Sequence, residues 1–508
     1  MKHLLTVLAV VVWVGMVAAL VHKQAPQQTT PIAALAELPA GAKPEQDEWF
    51  GVFQSDRKIG YAHRVVARTK SGWAFQEDSA FTLAMLGTVQ NLQTTMSAET
   101  DESYGLDSFR FGLISPAASF SASGRNERDK LVVQYGASGQ QNRLEIPLRE
   151  PINLPSTLRP RLVRAEAPPG TQYTASVFSP LSMKNEPITL VLEGRETIDG
   201  PDGKVETVRI SEKHQGIENS AWLAMDGTVI REQGTLGFVL QRAKSRDDAL
   251  AGISSAAPID LVMKTRIPVD HPIADARELS SLTLRMKGGA STRVPDDPPR
   301  QRVESGLLHI VREPAPHAIA TGMPPRGSDA PAIAAYTDPS PFVESDDPAI
   351  VSLARSIVGD EQDPVVAARK LVGWVNVNVA KEPALTVPSA REVAKSLRGD
   401  CNEHAVLLTA LARAVGIPAR VVAGTVYGDL GVPGDEGFYY HAWSELWLGS
   451  WVSADAVFGQ MPADATHVKL LEGGPERHMA LGEVIGQLEF EQTGGGSTVG
   501  RQRTGGGS

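Results

Sequence analysis

The chain has 508 residues, a formal net charge of −10 and a single cysteine, Cys401. That length calls for several domains, and the acidic balance argues against nucleic acid or an anionic membrane surface as the main partner. One cysteine excludes an internal disulfide, and the sequence offers no CxxC, HExxH or clustered Cys/His ligand set, so no metal or cofactor is expected.

Met1-Lys2-His3 precede an apolar run from Leu4 to Val21, broken only by Thr6 and Gly15 and closed by His22-Lys23. The run sits at the lower limit for a bilayer span of about 18–20 residues and exceeds most signal-peptide cores. Residues 1–23 therefore read as a signal anchor, with a cleaved signal peptide ending near Val17-Ala18-Ala19 as the alternative. Lys2 marks the cytoplasmic end. The body is then expected on the periplasmic or extracytoplasmic side, tied to the inner membrane by the anchor or secreted if the segment is cleaved. Residues 24–46, rich in Pro, Ala and Gln, read as a linker.

From 47 to 250, short β-branched or alternating runs dominate, such as "EWFGVFQSDRKIGYAHRVVAR" and "GWAFQEDSAFTLAML". They are separated by Gly, Asp and Asn turns. Hairpins are expected around Asp202-Gly203 and Asp226-Gly227. The whole reads as one curved antiparallel sheet. "IGY" and "AWLAMDGTVIRE" resemble the β-rich half-barrel domains of bacterial envelope proteins. A small β region follows over 258–312, then a Pro/Ala/Gly-rich linker over 313–340. The tail, 493–508, contains "TGGGS" twice and is expected to be flexible and outside the fold.

Within 341–492 the period changes from two to 3.6. Asp347-Pro348 and Asp363-Pro364 each predict a helix start. Ile350, Leu353, Ala354 and Ile357 lie on one face of the first helix, and Val365, Ala368, Leu371, Val372 and Val375 on one face of the second. Ser389-x-x-Glu392 reads as a capping box opening a short helix. Asp400 then caps a longer helix with Glu403 at N3, which makes Cys401 its first residue; Gly416 and Pro418 end it.

At a helix start a thiol feels the positive end of the helix dipole and several free N–H groups, which favour thiolate. Those N–H groups are also placed to receive an oxyanion. The rival view, a small buried hydrophobe, fits poorly, because Cys401 lies off the apolar stripe among Asp400, Asn402, Glu403 and His404. A cysteine nucleophile needs an imidazole base and an orienting carboxylate. Among eleven histidines, His404 is tied to the same helix with little freedom to aim its ring, and reads as a surface or hydrogen-bonding residue. His441 is better placed, since "GFYYHAWSELWLGSWVSADAVFG" reads as two strands with His441 on the first and Asp455 on the second. Trp443, Trp447 and Trp451 read as packing rather than substrate platforms.

The hairpin register is constrained. A two-residue turn at Gly449-Ser450 would pair Ser444 with Asp455 and put His441 and Asp455 on opposite faces. A three-residue loop, Leu448-Gly449-Ser450, pairs Trp447 with Trp451 and sets His441 diagonal to Asp455 on one face.

"GDCNEHAVLLTALARAVGIPARVVAGTVY" followed by "HAWSELWLGSWVSADAVFGQMPADATH" resembles the bacterial transglutaminase-like superfamily over about residues 341–471. The resemblance implies an α+β, papain-like core with Cys401 as nucleophile, His441 as base and Asp455 as orienter. It implies acyl transfer on amide bonds of a protein or peptide substrate through a thioester. Hydrolysis and transamidation both stay open, with hydrolysis preferred, and no side-chain oxyanion donor is assigned. The alternative is a non-catalytic envelope protein that binds or assembles through its β domain.

Overall fold

The computed structural model describes residues 43–496 apart from 117–118, 138–140, 149, 154–157, 160–161, 164–166, 215–216, 255–257, 318–321, 323–329, 384–388 and 432–433. The apolar run Leu4–Val21 and most of the expected 24–46 linker lie outside these residues. Among the described residues no helix is long and apolar enough to cross a membrane.

From Lys43 to Arg242 the chain forms a single 14-stranded antiparallel sheet. Consecutive strands pair except Asn142–Pro147 with Gln172–Ser179, and the first strand, Lys43–Gln54, also pairs with the last, Phe238–Arg242 (Phe50↔Arg242). The outer edges are therefore the mid-sequence strands Asn142–Pro147 and Gln172–Ser179. Both expected hairpins form, with Gly200 opposite Gly203 and a turn at Asp226-Gly227. Phe109, in strand Leu106–Ile114, and Phe178, in the far edge strand, lie ten strands apart along the sheet. At about 4.8 Å per strand a flat sheet would separate them by roughly 48 Å. Their rings are 4.9 Å apart, so the sheet curls back on itself. Inside the curl, Phe50, Ile59, Leu190, Ile210 and Leu223 share one apolar core with Leu158. The buried Arg159 bridges Glu212 and Glu232 there, which keeps a desolvated cation paired.

The C-terminal half differs from the expected domain plan. The small β region does not stand apart. Its strands Ser281–Lys287, Gln301–Glu304 and Leu307–Val311 form a four-stranded sheet whose fourth member is Glu489–Gly496. Thr493 to Gly496, expected in the flexible tail, are thus paired strand; only 497–508 fall outside the described residues. The reason is the run Phe490-Glu491-Gln492: its Phe490 inserts beside Leu282, Leu284 and Phe438, and the glycines that follow pair with Ser281–Thr283 through backbone alone. Lys43–Gln46 likewise extend the first strand rather than the linker. Ile267–Pro268 adds to the sheet of the last domain, opposite Phe438 and Gly437.

That last sheet runs in the order Ile267–Pro268, Gly437–Trp447, Ala419–Gly428, Val468–Glu472, with Trp451–Ala454 pairing Gly437–Trp447. Helices Pro348–Val358, Pro364–Asn378, Ala390–Ser396 and Cys401–Ala414 share a core with it. Asp347 and Asp363 cap the first two, accepting from Ala349 and from Val365 and Val366. Ser389 departs from expectation. It makes no cap bond, because its hydroxyl donates to the buried carboxylate of Glu344, which needs a donor more than the helix end does. The Cys401 helix is buried almost all round from Glu403 to Ala412, not along one stripe, because helices and sheet enclose it together.

Candidate active site

Cys401 is delivered by a short device. Ala380–Lys381 and Arg398–Gly399 pair in parallel, fixing the approach to the helix against the end of Pro364–Asn378. Asp400 then caps: its Oδ1 accepts from Asn402 N at 2.8 Å, and Glu403 Oε2 accepts from Asp400 N at 2.9 Å. A Cβ on Gly399 would fall 2.3 Å from the Glu403 side chain, so only glycine lets Glu403 fold back onto the cap. The capping box is complete and also takes the N3 amide. It uses up donors expected to be free: Asn402 and Glu403 N–H go to Asp400, and the Cys401 N–H is the helix-start donor the cap does not consume.

The thiol is half-buried against the apolar core. Burial, then the neighbouring Asp400 carboxylate, push its pKa well above the ordinary cysteine value, against the Ala442 backbone N–H, which donates to the sulfur and lowers it. The expected preference for thiolate is therefore reversed in the resting protein. The helix start is favourable to an anion, but Asp400 and Glu403 fill it with carboxylate first. Asp400 is itself raised, by burial and by Glu403 beside it.

The hairpin adopts the three-residue loop. Trp447 pairs with Trp451 and Ser444 with Ala454, and Gly449 takes φ +93°, the left-handed region that favours glycine. The ladder stops at Ala454. Asp455 turns out of it, its Oδ1 accepting from the N–H groups of Val457 at 2.7 Å and Phe458 at 3.1 Å. Its Oδ2 lies 2.7 Å from His441 Nε2. An ionised carboxylate only accepts, so Nε2 carries the hydrogen and Nδ1 is left as the basic nitrogen. His441 precedes Ala442, whose N–H meets the thiol.

The same Oδ2 also lies 2.8 Å from Nε2 of His467, which is fully buried. His467 Nδ1 in turn faces Asp464 Oδ1 at 3.3 Å, and Asp464 Oδ2 accepts from Arg277 at 2.9 Å. Burial works to raise the Asp455 carboxyl, but His441 and His467 hold it well below the usual carboxylate range. Burial works to lower His467, and the two aspartates outweigh it, raising the imidazole above its ordinary value. His441, Asp455 and His467 offer ligand-type atoms within 4.8 Å of one another. Asp455 Oδ2 itself occupies the centre as acceptor of both N–H groups, so the set is a hydrogen-bonded triple rather than a ligand cage.

The structure joins His441 to Asp455 by the expected hydrogen bond and adds His467; Cys401 reaches the same strand at the Ala442 N–H. The signal for His467 was present only as Asp464-x-x-His467, a short loop spacing with no periodicity to mark it. His404 is buried, not at the surface, with Nδ1 2.6 Å from Asp400 O; burial lowers its pKa. Trp443 is core, stacked near His441. Trp447 and Trp451 instead line, with Arg420 and Glu445, a cleft of about 890 Å³ whose lining includes none of Cys401, His441 and Asp455.

Residues 351–456 match the model of the transglutaminase-like superfamily. No curated protein sequence matches the chain. Among solved structures, a candidate cysteine protease from Cytophaga hutchinsonii aligns at 16% identity over 42% of this chain and 81% of its own, with a TM-score of 0.28. A β-barrel-like protein of a domain family of unknown function from Brucella abortus aligns at 13% identity over 39% of this chain and 94% of its own, TM-score 0.30. The periplasmic domain of TgpA from Pseudomonas aeruginosa, bound to ethylmercury, aligns at 14% identity over 59% and 95%, TM-score 0.22. Scores this low carry no argument about fold or function. The segment that opens its central helix with Cys401 and turns a hairpin between His441 and Asp455 lies within the residues that match the transglutaminase-like family model.

Proposed function

We propose that the C-terminal domain is a cysteine-dependent acyl-transfer enzyme acting on amide bonds of protein or peptide substrates. The observation that carries this reading is the 2.7 Å bond from His441 Nε2 to Asp455. It orients the imidazole with Nδ1 free, next to a residue whose N–H meets the thiol. Burial favours the neutral thiol, so in this scheme His441 acts as a general base and not as half of a standing ion pair. The Cys401 proton passes to His441 Nδ1 as Sγ bonds to the amide carbonyl carbon. His441 returns that proton to the nitrogen, the C–N bond breaks, and the amine leaves a thioester on Cys401. Water then releases the acid, or a primary amine takes the acyl group as a new amide, and the thiol is restored. The Cys401 N–H is placed to donate to the oxyanion.

Export belongs to the same proposal and rests on the apolar run Leu4–Val21 after Lys2. The test is incubation of the full chain with a library of small peptide amides and a labelled primary amine, following acid release and amine incorporation. Either product should appear with the native protein and vanish with Cys401→Ala. Equal product from both proteins would sink the reading and favour a domain that binds without catalysis.

A further inference from the structure

His467 lies outside the matched segment 351–456, and the scheme above does not use it. It is nevertheless fully buried, and both of its ring nitrogens face carboxylates. An aspartate that orients a histidine through one oxygen can swing about its side-chain torsion. Asp455 cannot, because two backbone N–H groups hold Oδ1 and His467 Nε2 lies 2.8 Å from Oδ2. His467 is fixed in its turn, since Asp464 accepts from Thr466 N at 2.8 Å and from Arg277 at 2.9 Å. With two ionised acceptors, each ring nitrogen must carry a hydrogen, which makes His467 an imidazolium.

We propose that His467 is a positioning residue for His441: a buried imidazole, held between Asp455 and Asp464, that shares the carboxylate oxygen to which His441 is bonded and so sets the aim of that ring. This rests on the assignment of His441 as the base. The ring centroids of the two histidines are 5.8 Å apart. Phe458 covers the His441 ring at 5.5 Å, and Arg277 lies over the far face of Phe458.

The test uses the full chain labelled with ¹⁵N-histidine, alongside the pH dependence of Cys401 alkylation by iodoacetamide. His467→Gln keeps an N–H donor at Asp455 and removes the charge. His467→Leu removes the donor as well and should slow alkylation by about 10²-fold, with His467→Gln recovering most of that loss. A folded His467→Leu protein alkylated at the native rate, or a folded His467→Gln protein that recovers none of the loss, would reduce His467 to core packing. Should neither variant fold, the native protein still decides: at neutral pH both His467 nitrogens should carry hydrogens, and one bare nitrogen overturns the proposal. These measurements read Cys401 and His467 whether or not any amide is turned over. A failure of the amide assay therefore stays distinguishable from a failure here.

Discussion

Cys401 stands where dipole and carboxylate disagree, and the carboxylate is nearer. Burial and Asp400 raise the thiol pKa, so the thiolate fraction is small at neutral pH and grows only as pH rises past the ordinary cysteine range. Iodoacetamide should therefore alkylate Cys401 at about pH 6 more slowly than it alkylates a small model thiol, with the rate climbing steeply on the alkaline side. A native rate at that pH matching a model thiolate would show a standing ion pair with His441 and remove the general-base scheme. The sequence marks Asp400 as a cap, and from that alone a helix start looks like a site for an anion. What it does not display is that the Asp400–Glu403 cap is buried against the thiol, so that burial and the Asp400 carboxylate outweigh the helix start. Cys401 and His441 were legible because each sits on a periodic element, and Asp455 because it directly follows the strand Trp451–Ala454. His467 sits in the loop between Asp455 and strand Val468–Glu472, where no period points to it.

At the scale of the element, the hairpin Gly437–Trp447 to Trp451–Ala454 shows how far counting can reach. Same-face geometry demanded a three-residue loop, and Gly449 at φ +93° supplies it. Counting does not reach the turn that follows, where Asp455 leaves the ladder to be gripped by Val457 and Phe458. The ion network there has a definite pH signature. Asp455 and Asp464 have depressed folded pKa values. The stability they contribute is present above the ordinary carboxylate range near pH 4, and is lost as pH falls through the folded values. His467 is raised. Its contribution is full below about pH 6.5, and is lost as pH rises through the folded value. The melting temperature followed by tryptophan fluorescence should thus fall as pH rises above about 6.5, and His467→Gln should flatten that slope. An unchanged slope in the variant would detach His467 from the network's energetics.

At the scale of the whole molecule, the curled sheet and the mixed C-terminal half were both readable as fold types. Their boundaries were less so, because strands at distant sequence positions pair without any local mark. Arg300 donates to Asp464 O at 2.6 Å and Gln301 to Lys469 O at 2.9 Å, so the small sheet grips both flanks of His467. A chain beginning at Pro341 lacks these groups and the partner strand of Glu489–Gly496. It should show no cooperative thermal transition, whereas a chain beginning at Pro258 should melt cooperatively. Cooperative melting of the shorter piece would restore a domain boundary at Pro341. The pairing of Ser281–Lys287 with Glu489–Gly496 also bears on biosynthesis. The two strands lie about 200 residues apart in sequence, a late and slow closure for a growing chain. Until residue 496 has been made, the sheet that carries Arg300 and Gln301 has an open edge and the loop bearing His467 lacks its finished support. On the proposed scheme the thiol at position 401 is thus translated well before His441 can be fully aligned, and the nascent protein carries its proposed nucleophile unarmed.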